Sequence, residues 1–204
     1  MIQLPRTLRA PTLDEIPVDS PARKKLEELQ TANIVQGYKL LDKEENEENK
    51  NSPFTFFAEI NIDNSRLWDL INSLTAELPD VSSLIFGLQG SKPFYGEYLA
   101  KSELLMDLVE FKKELTEDTF IEWGLIYQDD EKLVEIFIPE SKYIKYWGVN
   151  KNSFSQIMND FGLKEVADIK FVDEYPKVRE ALSSLDESAI GSEELITKLK
   201  EKYT

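Results

Sequence analysis

Alternation of apolar and polar residues marks the strands of this chain. In FTFFAEINI, Phe54, Phe56, Ala58, Ile60 and Ile62 recur at every second position and predict one buried face. NIVQGYKLL upstream and VSSLIFGLQ downstream read as further strands. TFIEWGLIY and KLVEIFIPE, joined by QDDE, form the clearest hairpin, KYIKYW continues as an extended segment after Pro139, and ADIKFVDEY reads as one more strand.

The helical period appears elsewhere. Leu67, Leu70, Ile71, Leu74 and Leu78 make one stripe, capped by Asp63 or Asn64 and stopped by Pro79. Ser102 starts a helix with Leu104, Leu108, Phe111 and Leu115 on one side. NSFSQIMNDFG buries Phe154, Ile157, Met158 and Phe161, and Gly162 takes the left-handed position at its end. Ser20–Pro21 opens a short helix through ARKKLEELQ, Pro176 opens another, and SEELITKLKEKY closes the chain behind Ser192. Hairpins dominate the connections. The expected fold is α+β, with an antiparallel or mixed sheet of six to seven strands and helices mainly on one face.

Residues 1–19, with Pro5, Pro11 and Pro17, read as an extended arm before a single domain over 20–204. A polar, acidic stretch at 42–53 reads as a mobile hairpin loop.

Composition narrows the chemistry. Thirty-nine acidic against 24 basic residues leave a net charge of −15 over 204 residues. Such a surface repels nucleic acid and anionic membranes and attracts basic partners. There is no cysteine and no histidine, so Ser-His-Asp and Cys-His catalysis are excluded, as are the thiolate and imidazole ligands of zinc sites. The opening stretch lacks the apolar run of a signal peptide, and no window approaches a membrane span. The expectation is a cytoplasmic protein without cofactor or metal.

Carboxylates are the common catalytic groups that remain. Glu122 and Glu135 fall on the two strands of the predicted hairpin, and a pair about 5–9 Å apart suits glycoside hydrolysis. A solvated strand face carrying two glutamates is the plainer reading. Asp129, Asp130 and Glu131 offer oxygen ligands, but three consecutive turn residues are poorly spaced for one cation. Gly87, Gly90 and Gly96 match no phosphate loop.

The segment IPESKYIKYWGVNKN gathers aromatics and lysines in an otherwise acidic chain. If it is extended, Tyr143, Lys145 and Trp147 face one way while Ile144 and Tyr146 face the other. One side then packs the core. The other is either covered by lysine stems or exposed as a contact surface with rigid ring anchors.

From about Phe120 to Pro176, the succession IEWGLIY, LVEIFIPESKYIKYW, NSFSQIMNDFGL and IKFVDEYP resembles bacterial immunity proteins of polymorphic toxin and contact-dependent inhibition systems. The resemblance implies a cytoplasmic, non-enzymatic antidote that masks the active site of a cognate toxin domain, in many cases a basic nuclease. On that reading Glu97, Asp129, Asp130, Glu131, Glu135, Tyr143, Tyr146 and Trp147 are the partner-binding residues. A carboxylate-dependent hydrolase using Glu122 and Glu135, and a homodimeric scaffold joined through the aromatic corner, are the alternatives.

Overall fold

The computed structural model describes residues 2–43 and 52–204. Most of the expected acidic loop, residues 44–51, lies outside that range.

The arm carries strand β1 (Leu8–Arg9) and a 3₁₀ turn (Leu13–Glu15), and leads to α1 (Ala22–Leu29). Strands β2 (Gly37–Asp42) and β3 (Phe56–Asn61) precede α2 (Asn64–Leu74). Next come β4 (Val81–Leu88), the short β5 (Phe94–Tyr95) and β6 (Leu99–Ala100), then α3 (Lys101–Leu108) and α4 (Lys112–Glu117). The hairpin β7 (Ile121–Gln128) and β8 (Leu133–Ile138) is followed by β9 (Ile144–Gly148) and α5 (Lys151–Asp160). The chain ends with β10 (Val178–Arg179), α6 (Leu182–Leu185) and α7 (Ser192–Tyr203).

The fold is α+β. Among the described residues its main sheet has eight strands in the order β2-β3-β9-β8-β7-β4-β5, with β6 also against β4, and these strands all pair antiparallel. Alternation does what the sequence predicts: Phe56, Ala58 and Ile60 of β3, Ile144 and Tyr146 of β9, and Val134, Ile136 and Ile138 of β8 are buried in the core under the helices. Trp68 of α2 stacks on Trp123 of β7 at 5.8 Å, and the Trp123 indole N–H donates to Leu115 O at 2.8 Å. Phe154 of α5 packs against Phe56, Tyr146 and Tyr38, with centroids 5.2–5.4 Å away. Burying four rings at one helix–sheet contact contributes several kcal/mol.

Local signals place both ends of α5. Asn150 Oδ1 accepts from Ser153 N–H at the start of α5, and Gly162, at φ +67°, closes it. At that φ a side chain is strained, so glycine is the natural residue there. The predicted Ser102 helix keeps Leu104, Leu108 and Leu115 buried but breaks at a 3₁₀ turn over Val109–Phe111. In α7, Gly191 holds the cap position, and Ser192 Oγ instead donates to Asp118 at 2.6 Å.

Two expected elements differ. ADIKFVDEY is no strand, because Val172–Glu174 folds into a 3₁₀ turn in which Glu174 accepts the Phe171 N–H. The outer edge of β2 beside it is already occupied at Tyr38, which bonds Lys164 O and Val166 N–H. Pro176 opens no helix. The segment beyond it becomes β10, which pairs with β1 through Leu8↔Arg179 and Arg9↔Val178. The arm is therefore docked: Thr7, Leu8 and Ile16 are buried, and Gln3 N–H donates to Asp63 Oδ1 at 2.7 Å.

Candidate functional site

Helices cover one face of the sheet; the other is divided. Directly paired residues of antiparallel strands point the same way, so the register lays out cross-strand rows on the face away from the helices. The first runs Leu41–Phe57–Trp147–Glu135–Ile126–Ser83. The second runs Lys39–Glu59–Lys145–Phe137–Gly124–Ile85–Tyr95.

Toward β7 and β4 these rows are closed over. Ile126, Ser83 and Ile85 are buried. Gly124 makes room for the Phe137 ring, since a Cβ there would stand 3.2 Å from Phe137 Cδ2 and 2.5 Å from Ile136 O. The loop before β5 lies on the same side, its Pro93 Cα 3.2 Å from where a Gly87 Cβ would be. Toward β2, β3, β9 and β8 these two rows are open among the described residues, while past them the 164–171 segment closes over Gly37, Asn61 and Tyr143. Leu41 is 42% exposed, while Phe57, Trp147, Glu135, Phe137, Glu59 and Lys145 are half-buried.

The open half joins aromatic rings to carboxyl groups. Phe57 and Trp147 pack at 4.7 Å, tilted by 45°. Trp147 is the direct cross-strand neighbour of Glu135. Burial pushes the Glu135 carboxyl up to about 7, and it has neither a hydrogen bond nor an ion pair among the described residues. Burial also raises Glu59, but Lys145 and Lys39 beside it pull partly the other way. Lys145 places its ammonium 5.6 Å from the centroid of the Tyr143 ring.

The structure thus unites two of the expected contact residues, Glu135 and Trp147, and removes two others. Tyr146 is fully buried, its hydroxyl enclosed with no hydrogen-bond partner among the described residues and its acidity suppressed by burial and then by Glu77. It is a core residue, on the helix side of β9. Tyr143 precedes β9 and packs on Phe171 at 4.8 Å beside Ile169, leaving it 6% exposed.

The acidic candidates form a rim at the end of the sheet nearest the first row. Asp129, Asp130 and Glu131 are exposed in the β7–β8 turn, where Asp129 Oδ1 accepts the Glu131 and Lys132 N–H groups at 2.8 and 2.7 Å. Asp129 is therefore a turn-former, held well ionised by the Tyr127 hydroxyl and these amides. Glu97 is exposed between β5 and β6, and the next residue, Tyr98, ties that loop to this end of β7 through the Gln128 N–H at 3.0 Å.

The register also separates the proposed acid pair. Glu135 faces Ile126, four residues along β7 from Glu122, or about 13 Å at ~3.3 Å per residue. That exceeds the ~5–9.5 Å of a glycosidase pair. Glu122 stands instead against Glu140, and burial followed by that neighbour raises it. Glu140 in turn pairs with Lys177 at 2.8 Å, in a network with Ser141 and Asp173. Among the described residues, no cluster of three or more acidic side chains is arranged to hold a metal.

Sequence reasoning passed over Phe57, Glu59 and Phe137. The signal was present: they occupy the opposite phase of the same alternation that marks the cores of β3 and β8. It also passed over Lys142, expected among the corner lysines. Lys142 has φ +59°, is 3% exposed, and donates from Nζ to Ile121 O at 2.7 Å. Burial brings its ammonium down to about 7 although Asp118, Glu122, Glu140 and Glu117 pull the other way.

No family model matches the chain, and neither does any curated protein or solved structure. Among the described residues, no helix is long and apolar enough to cross a membrane.

Proposed function

We propose that this chain is a non-enzymatic binding protein of the immunity type, which holds a basic toxin domain against the open half of its sheet and masks the toxin's active site. One observation carries the reading: the Phe57–Trp147–Glu135 row, half-buried rings beside a carboxyl, lies on the sheet face turned away from the helices that pack the core. Tyr, Trp and Phe side chains are rigid and large, and they anchor interfaces at low entropic cost. The acidic rim of Asp130, Glu131 and Glu97 and the net charge of −15 suit a cationic partner, for which attraction raises the encounter rate.

The test is affinity capture from the source cell, together with co-expression with the product of the adjacent gene, at low and moderate salt. The expected result is a stable complex with a basic protein whose toxicity the chain suppresses. If the adjacent gene encodes no toxin-like domain and no partner is retained at either salt concentration, the reading is abandoned.

A further inference from the structure

Glu135 is set among apolar neighbours on three sides. Trp147 lies across one strand boundary and Ile126 across the other, with Phe137 two residues along its own strand. A carboxylate in such a place loses hydration and ordinarily recovers the loss through a cation or hydrogen-bond donors. Glu59, one row away, has Lys39 and Lys145 as its direct cross-strand neighbours. Glu135 has two apolar residues there instead, and no protein group among those described takes its charge.

We infer that Glu135 and Trp147 form a receptor for one arginine side chain of the protein partner, with the guanidinium hydrogen-bonded to the Glu135 carboxylate and lying against the Trp147 indole. This deepens the binding reading above and rests on it. Arginine fits better than lysine for three reasons. Its planar fork donates two parallel hydrogen bonds to a carboxylate. It stacks on an indole face, where the ring quadrupole attracts it. It is more weakly hydrated than an ammonium, so it enters a half-buried place at smaller cost. Phe57, packed on Trp147, fixes the indole from the far side, and the Glu131 and Asp130 turn keeps the approach negative.

The full chain would be titrated with tetra-arginine amide and tetra-lysine amide at low salt, following the Trp147 indole N–H by NMR. We expect saturable shifts, with arginine binding at least fivefold more tightly than lysine. Glu135→Gln should weaken the arginine peptide tenfold or more, whereas Glu201→Gln, exposed on α7 on the opposite side of the sheet, should change it less than threefold. Trp147→Phe, which keeps a ring, should fall between. Both site variants keep the fold, which the amide spectrum verifies. Absence of saturation, equal binding of the two peptides, or an unchanged affinity in Glu135→Gln overturns the inference. A cognate partner that binds Glu135→Gln as it binds the native chain sinks this inference alone. Arginine binding without any macromolecular partner sinks the broader reading instead.

Discussion

Glu135 and Lys142 are two ionisable side chains held far from their ordinary behaviour, and they bend the stability curve in opposite directions. The Glu135 carboxyl moves from 4.5 when unfolded to about 7 when folded, so between those values the folded chain holds the extra proton. Stability on this account is present below about pH 5 and declines as the pH rises through 7. Glu135→Gln should remove the decline and leave the variant more stable than the native chain at pH 8, by about 2 kcal/mol, read as urea midpoints at pH 5 and 8. Lys142 shifts downward, from 10.5 to about 7. In that window the unfolded chain holds the extra proton, so stability rises with pH from 7 toward 10. Lys142→Met should flatten this rise and stabilise the protein at neutral pH; the pH dependence of the urea midpoint between 7 and 10 checks it. A buried ammonium held by one carbonyl, with no ion pair among the described residues, is costly, and an apolar replacement of similar length avoids the cost.

The strand register sets the neighbours of Glu135, and Gly124 makes room for the Phe137 ring beside it. An added methyl would meet Ile136 O at 2.5 Å, main chain that has nowhere to move within a ladder. Gly124→Ala should therefore destabilise by about 2–3 kcal/mol, seen as a lowered denaturation midpoint. Trp147→Ala should cost less stability, about 1 kcal/mol, because the ring is only half-buried, while reducing partner affinity much more. Much of this architecture was legible in the chain. The two phases of FTFFAEINI and LVEIFIP state which residues go under the helices and which do not, and the QDDE turn joins β7 to β8 as expected. What the chain could not show is long-range. Nothing local says that Trp147 lands opposite Glu135 or that Glu122 meets Glu140, because register across sequence-distant strands is decided by packing. ADIKFVDEY has the alternation of a strand, yet a Glu174–Phe171 backbone bond and an occupied β2 edge turned it into a loop. Tyr146 was misplaced for a simpler reason: an aromatic next to a lysine looks like surface until the face it occupies is known.

Taken together, the protein presents a short aromatic row with an acidic rim on one side. Association with a basic partner should slow steeply as salt rises from about 0.05 to 0.5 M, where the screening length shrinks from roughly 14 Å to about 4 Å. Stopped-flow measurements should show the effect mainly in the association rate, with the dissociation rate set by Trp147 and Glu135. The docked arm adds a second global feature. Arg6 bridges to Asp186 at 3.0 Å, and Leu8 and Ile16 are buried against the body. A chain starting at Ser20 should melt roughly 10 °C lower by calorimetry, reflecting about 3 kcal/mol of lost burial.

That arm has a consequence for biosynthesis. Leu8 is synthesised 171 residues before its strand partner, Arg179. The arm strand must therefore wait, unpaired, while the whole of the main sheet is made. The β1–β10 seam closes only after every strand of the main sheet has left the ribosome.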